Sequence, residues 1–277
     1  MIHNFNNNIS IMGIINLTPD SFSDGGKLHN QQDIISKIEK WAHLGVDLID
    51  VGCESSRPGA NPINIEDEIN RLNLILPVLK LFPDIFFSID TYKPEVAEYA
   101  LQNGFSIIND IYGARDNNMF LVAKKYDAPI IIMHMQGNPQ NMQINPEYNN
   151  IIDEICQFFQ DRIDQVIELG LNPNQIILDP GIGFGKSISD NDKILHNLVN
   201  IKSLGFPVLI GTSRKSFLTH DDLPNERIAN SIASMTIGIL NGANILRVHD
   251  VEDSIKVKTL LKRFLKNNQE KLVPESN

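Results

Sequence analysis

Ile85-Phe-Phe-Ser-Ile-Asp90, Thr91-Tyr-Lys-Pro94, Asn103-Gly104 and Ile107-Ile-Asn109-Asp110 together write out one strand–helix–strand unit. A short apolar run ends on a carboxylate. Pro94 suits a first helical turn, where its missing N–H would lack a partner anyway and its φ is already helical. Gly104 is a helix stop. A second apolar run follows and ends on an amide and a carboxylate.

The same phrase repeats along the chain. Apolar runs lead into Asn16, Gly52-Cys53-Glu54, Asp90, Asn109-Asp110, His134, Asp179, Ser213-Arg214-Lys215 and Arg247-Val-His249. Between them lie stretches with helical patterning, at 33–44, 66–81, 94–103, 118–126, 150–169, 190–204, 226–240 and 253–264. Such alternation implies right-handed βαβ units and a parallel sheet. Eight strand–helix pairs predict an α/β fold, a single-domain (β/α)8 TIM barrel over 1–277 with short polar tails at about 1–8 and 267–277. A doubly wound open sheet is the structural alternative. The polar residues gather just after the runs, so the active face is expected at the C-terminal ends of the strands. Two connections, 16–30 and 53–65, exceed the usual few residues and are expected to hold or cover substrate.

A net charge of −10 argues against nonspecific nucleic-acid binding, which needs a basic footprint. An anion would have to meet positive charge concentrated locally. Cys53 and Cys156 have neither redox nor zinc spacing and point to a reducing compartment. The Asn-rich start has no apolar core of a signal peptide, and no apolar run is long enough for a membrane span. A cytoplasmic protein is expected.

The stretch 179–187 tempts a nucleotide-loop reading but fails on spacing. Pro180 stands where a Walker A needs its first glycine, and Lys186 where a dinucleotide motif needs its last. What is left is a glycine-rich turn that lets backbone approach a flat ligand closely. Asp90, Asn109 and Asp179 could each be a helix N-cap, the commoner use of such residues after a strand. Together they read as a wall of acceptors with one amide, suited to an N–H/NH2 edge of an amino-pyrimidinone. Arg57, Arg214, Lys215, Arg247 and His249 supply positive charge near the same face. Arg247 and His249, two apart, suit a phosphate or diphosphate; salt bridges to Asp250 or Asp253 are the structural alternative. No HExxH or comparable cluster is present, so a built-in zinc site is not expected. Mg2+ bridging substrate phosphates is compatible, since it often takes only one or two protein ligands.

Met12-Gly-Ile-Ile-Asn16 with the following Leu17-Thr-Pro-Asp-Ser-Phe22, Asp50-Val-Gly-Cys-Glu-Ser-Ser-Arg57-Pro58, Ser88-Ile-Asp-Thr-Tyr-Lys-Pro94, Met133-His-Met-Gln-Gly137, Leu178 through Lys186, Gly211-Thr-Ser-Arg-Lys-Ser216 and Arg247-Val-His-Asp250 closely resemble the dihydropteroate synthase family of folate biosynthesis, in the family's order. The resemblance runs from about Ile11 to Val251. It implies a transferase that joins 6-hydroxymethyl-7,8-dihydropterin diphosphate to 4-aminobenzoate and releases diphosphate. It implies that Asn16 contacts Mg2+ and the diphosphate. Asp90, Asn109, Asp179 and Lys215 would hold the pterin, with Met133, Phe184 and Gly211 shaping its slot. Arg57, Arg247 and His249 would bind the diphosphate. Phe22, Ser56, Pro58, Ser213 and Lys215 would frame the aminobenzoate, where sulfonamides sit in the family. Asp90, Lys215, Arg247 and Asn16 would carry the chemistry, and the protein would be a homodimer, with the helix at 228–240 as a candidate face.

Two positions depart from the family pattern. Ser56 stands where Thr is usual and keeps the hydroxyl without the methyl. Cys53 stands where Gly is frequent, and a buried, inert thiol is expected. Competing readings are a methyltetrahydrofolate-dependent corrinoid methyltransferase, which would need no diphosphate site, and a non-catalytic pterin-binding paralogue. His134 has no assigned role.

Overall fold

The computed structural model describes residues 5–18, 31–56, 59–219 and 221–270. Its strands are β1 (Ser10–Asn16), β2 (Leu48–Gly52), β3 (Phe86–Asp90), β4 (Ile107–Asp110), β5 (Ile130–Met133), β6 (Ile176–Asp179), β7 (Leu209–Ile210) and β8 (Ile245–Val248). They form one parallel sheet in the order β6-β5-β4-β3-β2-β1-β8-β7. The two ends meet through a bridge between Leu178 and Val208, which closes the barrel. β7 is short because Pro207 precedes it and cannot donate to the ladder.

The helices are α1 (Gln31–Leu44), α2 (Ile65–Leu72), α3 (Leu76–Leu79), α4 (Pro94–Gln102), α5 (Asn117–Lys125), α6 (Ile151–Glu168), α7 (Ile188–His196), α8 (Leu198–Lys202), α9 (Ile228–Leu240) and α10 (Val251–Glu270). The predicted helix at 66–81 is two pieces, because Pro77 cannot donate within a continuous helix. The one at 190–204 is also divided, at Asn197. Two further connections are long, 134–150 between β5 and α6 and 211–227 between β7 and α9.

The expected N-terminal polar tail contains a structural residue. Phe5 is buried in a layer with Met12, Leu48, Phe86, Ile107, Ile131, Ile177, Leu209 and Ile245, one residue from each strand, and so plugs the floor of the barrel. At the other end of the chain, α10 runs to Glu270, into the segment expected as a tail. Side chains on a strand alternate, so residues two or four beyond the floor layer lie on the same inner face. Those residues are Asn16, Asp50, Asp90, Asn109, Met133, Asp179, Gly211 and Arg247. The strand period alone thus lifts the polar residues to one end of the barrel's interior.

Core packing explains only part of α9. Ser231, Ser234, Met235, Gly238 and Ile239 are buried, whereas Ile237 and Leu240 are 47% and 56% exposed.

Candidate active site

Arg247 stands at the centre of the mouth. Its Nε donates to Asp50 Oδ2 at 2.6 Å and its Nη2 to Asp90 Oδ2 at 2.7 Å. Asn109 Nδ2 donates to the same Asp50 oxygen at 3.1 Å. Burial works against the Arg247 cation, but Asp50 and Asp90 outweigh it and hold the guanidinium above its ordinary pKa. Burial pushes the Asp90 carboxyl up to about 7, with Arg247 pulling the other way and Asp50 adding repulsion. The charge-pair alternative for Arg247 therefore fails in its original form. Asp250 pairs with Arg214 and Asp253 with Lys256. Arg214, expected to supply positive charge to this face, is engaged by that pair.

The N-cap reading also fails for the acceptor wall. The helices after β3, β4 and β6 are capped by Lys93, Asp116 and Ser187, which leaves Asp90, Asn109 and Asp179 to the cavity. Asp179 does have a local task, since its Oδ1 accepts from Gly181 N at 2.8 Å. Burial raises its pKa. Asp110, next to Asn109, points elsewhere: it accepts from Tyr112 N at 2.7 Å and Ala114 N at 3.1 Å and folds the β4 loop.

Lys215 reaches over the glycine-rich turn. Its Nζ donates to the Ile182 carbonyl and lies 4.4 Å from the centre of the Phe184 ring. Burial lowers its pKa to about 8, although Asp179 supports the cation. Met133 and Phe184 join Ile111, Met135, Met142, Tyr92 and Tyr112 in an apolar cluster at the mouth. At Gly211 an added Cβ would make only ordinary contact with the Cβ of Arg247, at 3.8 Å, so the backbone there is not crowded.

On the opposite side, Asn16 Oδ1 and Asp90 Oδ2 flank the Cα of Gly52. A Cβ there would lie 3.3 Å from the first and 3.6 Å from the second. His249 is neutral, with its pKa lowered to about 3 by burial and by Arg247 and Arg214, so it supplies a hydrogen bond and no charge. Its backbone N donates to Ser213 Oγ at 3.1 Å and its Nδ1 lies 3.2 Å from the same oxygen. Ser213 is thus buried against His249. Ser56 lines a small recess with Glu54, Ser55, Asp90, Tyr92 and Pro139. Phe22, Arg57 and Pro58 lie outside the described residues.

Asp50 was missed from sequence, although a signal was present. A carboxylate inside the run Leu48-Ile-Asp50-Val51 is a buried charge and must have a partner. The loop after β2 was read only as long. Its Glu54 accepts from Lys93 Nζ at 2.5 Å and Tyr92 Oη at 2.9 Å, and Lys93 also reaches Glu68 at 2.6 Å. Cys53 is fully buried, and burial raises its thiol pKa. His134 is buried and neutral, with its pKa lowered to about 2 by burial. Its ring packs edge-on to Phe158 at 5.1 Å, so it is a scaffold residue behind the turn.

A cavity of about 290 Å³ lies at the other end of the barrel among Phe5, Phe86, Phe105 and Tyr126. It lacks the converging charges of the mouth, which we take as the site on chemical grounds. No helix among the described residues is long and apolar enough to cross a membrane.

A family model described as "Pterin binding enzyme" matches residues 12–249. The dihydropteroate synthase of Synechocystis sp. is 44% identical over 247 residues, covering 87% of this chain and 85% of that protein. Among solved structures, the Yersinia pestis dihydropteroate synthase with a sulfonamide drug complex superposes with TM-score 0.88 at 35% identity, covering 94% of this chain and 95% of that one. The Xanthomonas albilineans dihydropteroate synthase with 4-aminobenzoic acid gives TM-score 0.86 at 34% identity, covering 97% and 95%. The chain belongs to the dihydropteroate synthase family of pterin-binding enzymes.

Proposed function

We propose that the protein condenses 6-hydroxymethyl-7,8-dihydropterin diphosphate with 4-aminobenzoate, giving 7,8-dihydropteroate and diphosphate. The observation that carries this is the inner-face wall of Asp90, Asn109 and Asp179, closed by the Arg247 guanidinium. Because Asn109 spends its Nδ2 on Asp50, its Oδ1 would be the end offered to the pterin. Two carboxylates and an amide oxygen accept from the N–H and NH2 groups of a pterin edge. Phe184, Met133 and Lys215 bound the slot in which its plane would lie.

The chemistry needs little covalent help. The bond from the methylene carbon to the diphosphate oxygen breaks, and its electron pair leaves with the diphosphate. Arg247 and a hydrogen bond from His249 meet the charge that develops there. The methylene carbon, conjugated with the pterin, becomes cationic beside the carboxylates Asp90 and Asp179. The aryl amine is neutral at pH 7, attacks through its lone pair and then loses one proton. It needs positioning rather than a strong base. Ser56 and Lys215, with Phe22, Pro58 and Ser213, would place it, and Arg57 would join Arg247 and His249 on the diphosphate.

Mg2+ fits as an ion carried by the substrate. Among the described residues no group of three or more His, Cys, Asp or Glu is placed to hold a metal. The Asn16 oxygen, close against Gly52, would be a single protein ligand, with phosphate oxygens and water supplying the others. Bound there, Mg2+ would neutralise charge on the departing diphosphate.

We also propose a cytoplasmic homodimer. Its support is two free cysteines and the exposed Ile228, Ile237 and Leu240 on α9. Light scattering on the purified protein checks the dimer. The activity is tested by diphosphate release with Mg2+ and both substrates. Release that depends on 4-aminobenzoate is expected, and none at all would sink the reading.

A further inference from the structure

The glycine-rich turn after β6 is held almost entirely by side chains. Four successive carbonyls each accept from a different donor. The Ile182 carbonyl accepts from Lys215 Nζ, Gly183 from Gln143 Nε2 at 2.9 Å, Phe184 from Lys186 Nζ at 2.9 Å, and Gly185 from Tyr148 Oη at 2.6 Å. From the other side, Gly183 N donates to Asn191 Oδ1 at 2.7 Å. The turn also lies flat on the backbone after β5. A Cβ at Gly181 would collide with the His134 carbonyl, and one at Gly185 would come within 2.9 Å of the Gln136 carbonyl.

Gln143 and Tyr148 both belong to the long connection 134–150. That connection is itself braced. Arg115 donates to the Met135 carbonyl at 2.6 Å and the Gly137 carbonyl at 2.7 Å. The amide of Gly59, in the β2 loop, donates to the Pro139 carbonyl at 3.1 Å. The connection is therefore a strap, anchored at its base and laid across the turn that carries Phe184.

We propose that Tyr148 and Gln143 are positioning residues for the pterin. By holding the Gly183 and Gly185 carbonyls they fix the height of Phe184, and with it the width of the slot. This rests on the pterin-condensing reading above. Tyr148 is the stronger of the two, because it is half-buried and its hydrogen bond is short, whereas Gln143 is exposed. Losing one such bond corresponds to a change of about fivefold in affinity.

The test compares wild type with Tyr148→Phe and Gln143→Met. Calorimetry gives the Kd for 6-hydroxymethyl-7,8-dihydropterin, steady-state assays give both KM values, and hydrogen exchange follows peptides over 181–185 and 107–110. Tyr148→Phe should weaken pterin binding about fivefold, and Gln143→Met less. In both variants the 4-aminobenzoate KM should stay within about twofold, and exchange should quicken at 181–185 but not at 107–110. A lowered melting temperature with unchanged pterin Kd would make Tyr148 merely structural and overturn the proposal. So would parallel losses for both substrates. A wild type that binds no pterin and releases no diphosphate would instead sink the functional reading on which the proposal stands.

Discussion

Arg247 and Asn109, on β8 and β4, meet at one oxygen: both donate to Asp50 Oδ2, at 2.6 and 3.1 Å. That fully buried carboxylate aims the guanidinium and holds the amide nitrogen end of Asn109. Asp50→Asn keeps the volume but removes the charge, leaving Arg247 with Asp90 alone and Asn109 free to flip. We expect kcat/KM for the pterin diphosphate to fall about 100-fold, within the range for a lost preorganised contact. Steady-state kinetics checks this, and a loss smaller than about threefold would show that Arg247 and Asn109 hold their orientation unaided.

Asp90 has a different task under the proposed function, in which it would face the reacting carbon while also pairing with Arg247. Asp90→Asn removes the anion beside the developing cation and one partner of a buried ion pair. Turnover should drop by at least ~100-fold. The readout is diphosphate release at saturating substrates, and near-normal turnover would remove Asp90 from the chemistry.

Strand ends and helix stops were legible because they depend on local rules: apolar runs, Pro94 at a helix start, Gly104 after a helix end. The inward face was legible too, since a period of two places Asp179 above Ile177 and Arg247 above Ile245. Three things were not. Asp50 hides within an apolar run, and its purpose appears only when β8 brings Arg247 across the barrel. His249 reads as a cation until burial and Arg247 leave it neutral. The strap at 134–150 lacks periodicity, and its meaning lies in contacts to a turn far along the chain. All three depend on contacts between separate segments of the folded chain, which local sequence does not encode.

The environment of Cys53 settles its reactivity. It is fully buried at the end of β2, and burial raises the thiol pKa, so the nucleophilic thiolate is scarce. The native protein should label with iodoacetamide at Cys156 only, and slowly, because that thiol is half-buried and also raised by burial. Both should label in denaturant. Peptide mass spectrometry separates the two, and rapid native labelling of Cys53 would mean that the β2 loop opens.

The free protein's ionisations predict a narrow pH profile. Burial brings Asp90 up to about 7 and Lys215 down to about 8, so the required carboxylate and ammonium coexist over only a short span. Activity should be lost as pH falls through about 7 and Asp90 takes a proton. It should be lost again as pH rises through about 8 and Lys215 gives one up. Because kcat/KM reports the free enzyme, the bell should appear in kcat/KM for the pterin diphosphate. His249, neutral down to about 3, adds no limb near 6. Lys186, drawn down to about 7 by burial, loses its proton within the same span and must be separated from Lys215. Lys215→Arg does this, since an arginine keeps its charge throughout the range. The alkaline limb should then move beyond pH 9 in whatever activity is left. A limb that stays in place would assign it to Lys186, and a wild-type profile flat from pH 6 to 9 would refute both assignments.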